Sequence, residues 1–199
     1  MIVVFPNGLA TGMWTDSADG RRPVETILVQ EIVPQVDRSY RTIAGAEGRI
    51  IEGFSMGGLG AARIGFRYPD LFGTISMIAA GPLDPDFNGP RARGNPALRR
   101  RVLDEVHGGS LARFRTESAW ELSALRARQA PAQGPMRLVI GTADFTAEDN
   151  QRFARHLAQQ GIAHDYVEVP GVGHDVLALF AAMGESNWAF YRRVTGAPR

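Results

Sequence analysis

Short runs rich in apolar residues alternate along the chain with longer stretches in which apolar residues recur every three to four positions. The runs cover residues 2–5, 50–51, 74–80, 137–141 and 166–169, each bounded by turn-forming residues such as Gly, Pro, Asn or Asp. The run at 2–5 is wholly apolar and reads as a strand buried on both faces, 74–80 reads as a second buried strand, and the others read as strands. Between them, Val24, Ile27, Leu28, Ile32, Val33 and Val36 follow Pro23 at helical spacing, and Pro34 is expected to kink or end that helix. Leu59, Ala62, Ile64 and Phe66 make a second helical face, closed by Pro69. Phe153 and Leu157 make a third, opened by a capping box at Thr146-x-x-Asp149 and ended by Gly161. Residues 176–180 and 188–191 close the chain as helix. Strands alternating with helices throughout argue for an α/β fold, a mostly parallel doubly wound sheet covered on both faces.

Composition narrows this picture. With 199 residues, 44% of them hydrophobic, the chain can bury one full core, so a single domain over 1–199 is expected. Periodicity weakens over 82–133, which reads as an irregular or helical excursion across the strand ends. Its arginine run at 99–101 reads as a solvated face, with a patch for an anionic substrate as the alternative. A net charge of +1 gives no bulk attraction to nucleic acid or membrane, and no apolar run approaches a membrane span. Residues 1–5 are too short and uncharged for a signal peptide, which taken alone reads as cytoplasmic. All 22 basic residues are arginine, a compositional bias. The absence of cysteine excludes disulfides, thiolate nucleophiles and Cys-ligated metals.

The chemistry centres on Gly53-Phe54-Ser55-Met56-Gly57, a G-x-S-x-G between a short strand and a small-residue helix. A serine hydroxyl is a weak nucleophile, and a sharp strand-to-helix turn presents it to a base and a substrate carbonyl together. Gly53 and Gly57 are expected to be glycine because side chains there would collide with backbone in so tight a turn. Asp144 and His174 also fall just past strand ends, and the ends of parallel strands share one edge where ligands bind. The order Ser, Asp, His suits a triad in which His174 takes the Ser55 proton and Asp144 orients and stabilises the imidazole. The Met56 N–H is the expected oxyanion donor. Trp14, in a polar loop over 7–20, is a candidate substrate contact, or alternatively a lid over the core. His107, His156 and His164 do not follow a strand within a Gly-rich turn, and His107-Gly108-Gly109 lies after the nucleophile, the wrong side for an oxyanion loop. Glu148, Asp149, Asp165 and Asp175 are weaker candidates for the acid. There is no H-E-x-x-H, no spaced ligand cluster and no G-x-G-x-x-G after a strand, so neither metal nor cofactor is expected.

The elbow, with Arg67-Tyr-Pro-Asp-Leu-Phe-Gly73 after it, resembles the Putative esterase family of α/β-hydrolases, which includes esterase D, feruloyl esterases, enterochelin esterase and the antigen 85 mycolyltransferases. Val3-Val-Phe-Pro-Asn-Gly8, Ile32-Val-Pro-Gln-Val-Asp37, Gly141-Thr-Ala-Asp144 and Val169-Pro-Gly-Val-Gly-His174 are similar to further family segments. The resemblance implies hydrolysis of carboxylic esters, small or aryl, through an acyl-serine at Ser55 without a cofactor. An acyltransferase with the same triad, or a truncated binding domain, are the alternatives. Family members carry upstream strands, one of them followed by a His-Gly loop giving the second oxyanion donor, and this chain begins after them. The sheet is therefore expected to be reduced at its N-terminus. Either the gene product is truncated, or the strands close ranks and residues 7–14 supply that donor. A homo-oligomer through the N-terminal edge strand is a further expectation.

Overall fold

A computed structural model describes residues 1–81, 86–88, 95–129 and 134–196. Among the described residues, four parallel strands form the sheet: β1 (Ile50–Phe54), β2 (Thr74–Ile78), β3 (Met136–Gly141) and β4 (Asp165–Val169), each beside its successor in the chain. Helices fill every crossover: α3 (Met56–Arg67) after β1, α4 (Pro96–His107), α5 (Leu111–Thr116) and α6 (Ala119–Gln129) after β2, and α7 (Ala147–Gln159) after β3. Helices α8 (Val176–Met183) and α9 (Glu185–Thr195) follow β4. All four strands run the same way, so their carboxyl ends lie along one edge.

The central strands β2 and β3 are buried at every position, which explains why apolar residues dominate both of their faces. Alternate side chains face opposite ways. Ile75, Met77, Met136 and Leu138 pack with Phe66, Phe153 and Leu157 of α3 and α7. On the other side, Ile78 and Val139 pack with Leu179 of α8. Arg137 is buried within the sheet: its Nε donates to Ser76 Oγ (2.8 Å), and its other nitrogens to Asn187 Oδ1 (2.9 Å), Glu52 Oε2 (3.1 Å) and the Tyr191 hydroxyl (3.0 Å). With partners for every nitrogen, the buried guanidinium ties α9 to the sheet.

Residues 2–5 are not a buried strand. They pair with none of the four strands, and their side chains are 45–90% exposed. A doubly covered strand needs a bonded neighbour and a layer on each side, and among the described residues this run has neither. The outer edge of β1 is likewise unpaired among the described residues. The helix after Pro23 continues past Pro34 as α1 (Val24–Thr26), a π-helical segment (Ile27–Ile32) and α2 (Val33–Ser39). Proline lacks an N–H and crowds the carbonyl four residues back. The wider turn, in which the Val33 N–H bonds Leu28 O five residues back, lets the helix pass it.

Within 82–133, most of 96–129 is helical, while 82–85, 89–94 and 130–133 lie outside the described residues. Asn95 caps α4 through the Ala97 N–H (2.8 Å), and Gly108 ends it in a left-handed conformation. His107-Gly108-Gly109-Ser110 is thus a helix-to-helix turn. Arg100 and Arg101 pair with Asp104 and Glu105 one turn on, as a solvated face does.

Candidate active site

Phe54 ends β1 and Met56 starts α3, so Ser55 alone turns the chain, at φ 56° and ψ −119°. A residue with a Cβ takes such a conformation only when its surroundings hold it there. Three hydrogen bonds do so: the Ser55 N–H donates to Ile78 O (2.9 Å), and the Leu59 and Gly81 N–H groups both donate to Ser55 O (3.1 Å each). The turn is so tight that a Cβ on Gly53 would lie 2.1 Å from Gly57 O. A Cβ on Gly57 would meet nothing within 4 Å, so the expected collision belongs to Gly53 and not to both glycines.

Asp144 and His174 lie in the loops after β3 and β4, which are joined by Ala143 N–H to Val172 O (3.0 Å) and Gly171 N–H to Thr142 Oγ1 (2.8 Å). A side chain on Gly141 would run into Val172 O, so this glycine permits the approach. His174 Nδ1 lies 2.7 Å from Asp144 Oδ2, and Nε2 lies 2.9 Å from Ser55 Oγ. The other Asp144 oxygen accepts from the Thr146 N–H (2.7 Å) and hydroxyl (2.8 Å). That contact corrects the expected capping box: Thr146 starts α7 without a side-chain cap, because its hydroxyl points to Asp144 instead. Phe54 and Phe145, at centroid distances of 4.6 and 4.5 Å, flank the imidazole.

This arrangement has a definite chemical capacity. A carboxylate anchored by two donors accepts from Nδ1–H, which leaves Nε2 bare to take a proton from the Ser55 hydroxyl. Met56 carries the first N–H of α3, one with no intrahelical acceptor, beside the nucleophile.

A cavity of about 360 Å³ opens on Ser55 and Met56, walled by apolar groups such as Met13, Leu59, Phe87 and Val102. Trp14 is not in that wall. Its indole lies over Gly8 and Gly60, where a Cβ would come within 2.5 Å of the ring, and packs toward Leu28, Ile64 and Phe72. Its neighbours Met13 and Thr15 face the cavity. The segment is held by Arg63 of α3, a buried residue that the apolar pattern of the helix concealed. Arg63 donates to Met13 O (3.3 Å), Trp14 O (2.8 Å) and Glu117 O (2.5 Å). Its guanidinium lies 3.6 Å from Glu25 Oε2 and 3.4 Å from Glu117 Oε2. Burial pulls its pKa down to about 10, with Glu25 the main opposing influence.

The competing residues have other work. Asp175 caps α8 through the Leu177 and Ala178 N–H groups, Asp165 pairs with Arg193, and Asp149 lies 3.5 Å from Arg152. His164 bonds Ile162 O, while His156 lies against Ser123 and Trp120 with burial lowering its pKa. Among the described residues, no group of three or more His, Cys, Asp or Glu gathers as metal ligands, and no helix is long and apolar enough to cross a membrane.

Known proteins place this geometry in context. The chain is 30% identical to esterase Rv1288 of Mycobacterium tuberculosis (strain H37Rv), the match covering 87% of this chain and 41% of that protein. It therefore spans about two-fifths of that relative's length. Among solved structures, it is similar to a ferulic acid esterase, with TM-score 0.68 and 20% identity over 91% of this chain and 64% of the other. It is also similar to an S-formylglutathione hydrolase from Agrobacterium tumefaciens, with TM-score 0.71 and 17% identity over 92% of this chain and 63% of the other. These likenesses show an α/β-hydrolase fold. With residues 1–193 matching the family described as Putative esterase, the chain belongs to that family.

Proposed function

We propose that this chain is a serine carboxylic-ester hydrolase acting on small or aryl esters, with Ser55 as nucleophile, His174 as general base and acid, and Asp144 as orienting carboxylate. The observation that carries the reading is the hydrogen-bonded line from Asp144 Oδ2 through His174 to Ser55 Oγ. Ser55 Oγ attacks the ester carbonyl as its proton passes to Nε2, and the Met56 N–H donates to the oxyanion. Collapse of the tetrahedral intermediate breaks the bond to the alcohol oxygen, which takes the proton from Nε2. Water then repeats the sequence on the acyl-serine, releasing the acid and restoring the hydroxyl. Ala10 and Thr11 line the same cavity as Ser55, which supports the backbone of that loop as the second oxyanion donor.

A burst of p-nitrophenol stoichiometric with protein, on mixing with p-nitrophenyl acetate, is expected. Ser55→Ala should abolish the burst and lower kcat on the order of 10⁶-fold. A burst that survived Ser55→Ala would overturn the assignment.

A further inference from the structure

The cavity beside Ser55 has in its wall a polar group that this chemistry leaves unused. His107, the last residue of α4, lines the cavity and is only 5% exposed. Its Nδ1 is closed to solvent and has no hydrogen-bond partner; Glu117 Oε2 lies 4.0 Å away, beyond bonding distance. No group among the described residues bonds Nε2 either. Glu117 is already engaged by the Thr15 hydroxyl (2.7 Å), Arg63 and Arg113. Native interiors seldom leave a buried polar side chain without a partner, and with Nδ1 closed to solvent, Nε2 is the nitrogen left for a ligand in the cavity.

The protonation state follows from the surroundings. Burial pushes the His107 pKa down to about 4, against the pull of Glu117, so the ring is neutral at pH 7. A neutral imidazole has one N–H and one bare nitrogen. The Glu117 carboxylate favours the proton on Nδ1, which leaves Nε2 as an acceptor. A ligand hydroxyl would find its partner in that nitrogen. Met13, Leu59, Val102 and Phe114 give the cavity an apolar surface, alongside Arg63, Arg99 and Asp149.

We propose that His107 is the recognition residue of this pocket, accepting a hydrogen bond from a hydroxyl at the far end of an otherwise apolar acyl chain whose ester carbonyl lies at Ser55. The acyl side is the fitting one because it stays bonded to Ser55 while the alcohol must leave. The proposal rests on the esterase reading of Ser55.

The test compares methyl hexanoate, octanoate and decanoate with their ω-hydroxy counterparts, following acid release. The wild type should favour the hydroxylated ester at one or more lengths by about 3- to 10-fold in kcat/KM, the worth of one hydrogen bond. His107→Phe should bring that ratio to about one, and His107→Gln, which keeps an acceptor, should restore most of it. His107→Leu, which underfills the site, serves if the phenylalanine variant does not fold. A wild type without preference at any length, or a preference that survives loss of the imidazole, overturns the proposal. Absence of hydrolysis of the unsubstituted esters takes down the esterase reading and this proposal with it.

Discussion

Arg63→Met keeps most of the side-chain volume and removes the charge, and the structure allows its cost to be worked out. Met13 O, Trp14 O and Glu117 O lose a donor, and Glu117 loses one of its cations. Glu25 keeps the Arg67 guanidinium at 2.9 Å and the Tyr68 hydroxyl at 2.8 Å, so it is not stranded. Removing one partner of a buried pair costs about 3–5 kcal/mol, and the surviving partners of Glu25 argue for the lower end. In a chain of this length, each kcal/mol moves Tm by about 2–4 °C, so a fall of about 10 °C is expected by circular dichroism. The same loss frees a segment in which Met13 and Trp14 hold φ of 50° and 55°. Met13 lies in the cavity wall, so kcat/KM should fall at temperatures where the variant is still folded. A double-mutant cycle sharpens the test: Glu117→Gln should cost less in the Arg63→Met background than alone. A variant melting within about 2 °C of the parent, with additive effects of the two substitutions, would refute the view that this cluster fixes the cavity wall.

Two further outcomes are expected. Asp144→Asn should lower kcat by about 10⁴-fold in steady-state ester hydrolysis, and an equal loss from Glu148→Gln or Asp165→Asn would reassign the acid. His107 has a pKa of about 4 in the fold against an ordinary 6.5, so the unfolded chain takes up the proton first as pH falls. The stability tied to its neutrality is therefore present above about pH 6.5 and is lost as pH falls toward 4, by an amount on the order of a few kcal/mol. His107→Gln should melt with a shallower pH dependence over that window, and parallel Tm curves for the two proteins would rule this out.

Much of the site was legible because its chemistry is local. The Gly-Phe-Ser-Met-Gly turn, and the positions of Asp144 and His174 after apolar runs, follow from residues next to one another. What sequence concealed depends on distant partners. Residues 2–5 satisfy the pattern of a buried strand as well as residues 74–78 do, and only the presence or absence of a bonded neighbour separates them. Thr146 and Asp149 have capping-box spacing, yet the threonine hydroxyl serves a carboxylate that belongs to the strand end before it. Arg63 sits among apolar helix positions, and nothing local signals that its charge is buried against Glu25 and Glu117, which come from two other segments.

The backbone at Ser55 has a consequence for anyone who would harden this protein. Holding a side-chain-bearing residue at positive φ costs about 1–3 kcal/mol, and glycine at the same place would be largely relieved of it. Ser55→Gly is therefore a candidate for a more heat-resistant protein that has lost its nucleophile. Selection for thermal tolerance alone would drift toward such variants, so a stability screen on this chain has to be coupled to turnover or it will enrich inert descendants.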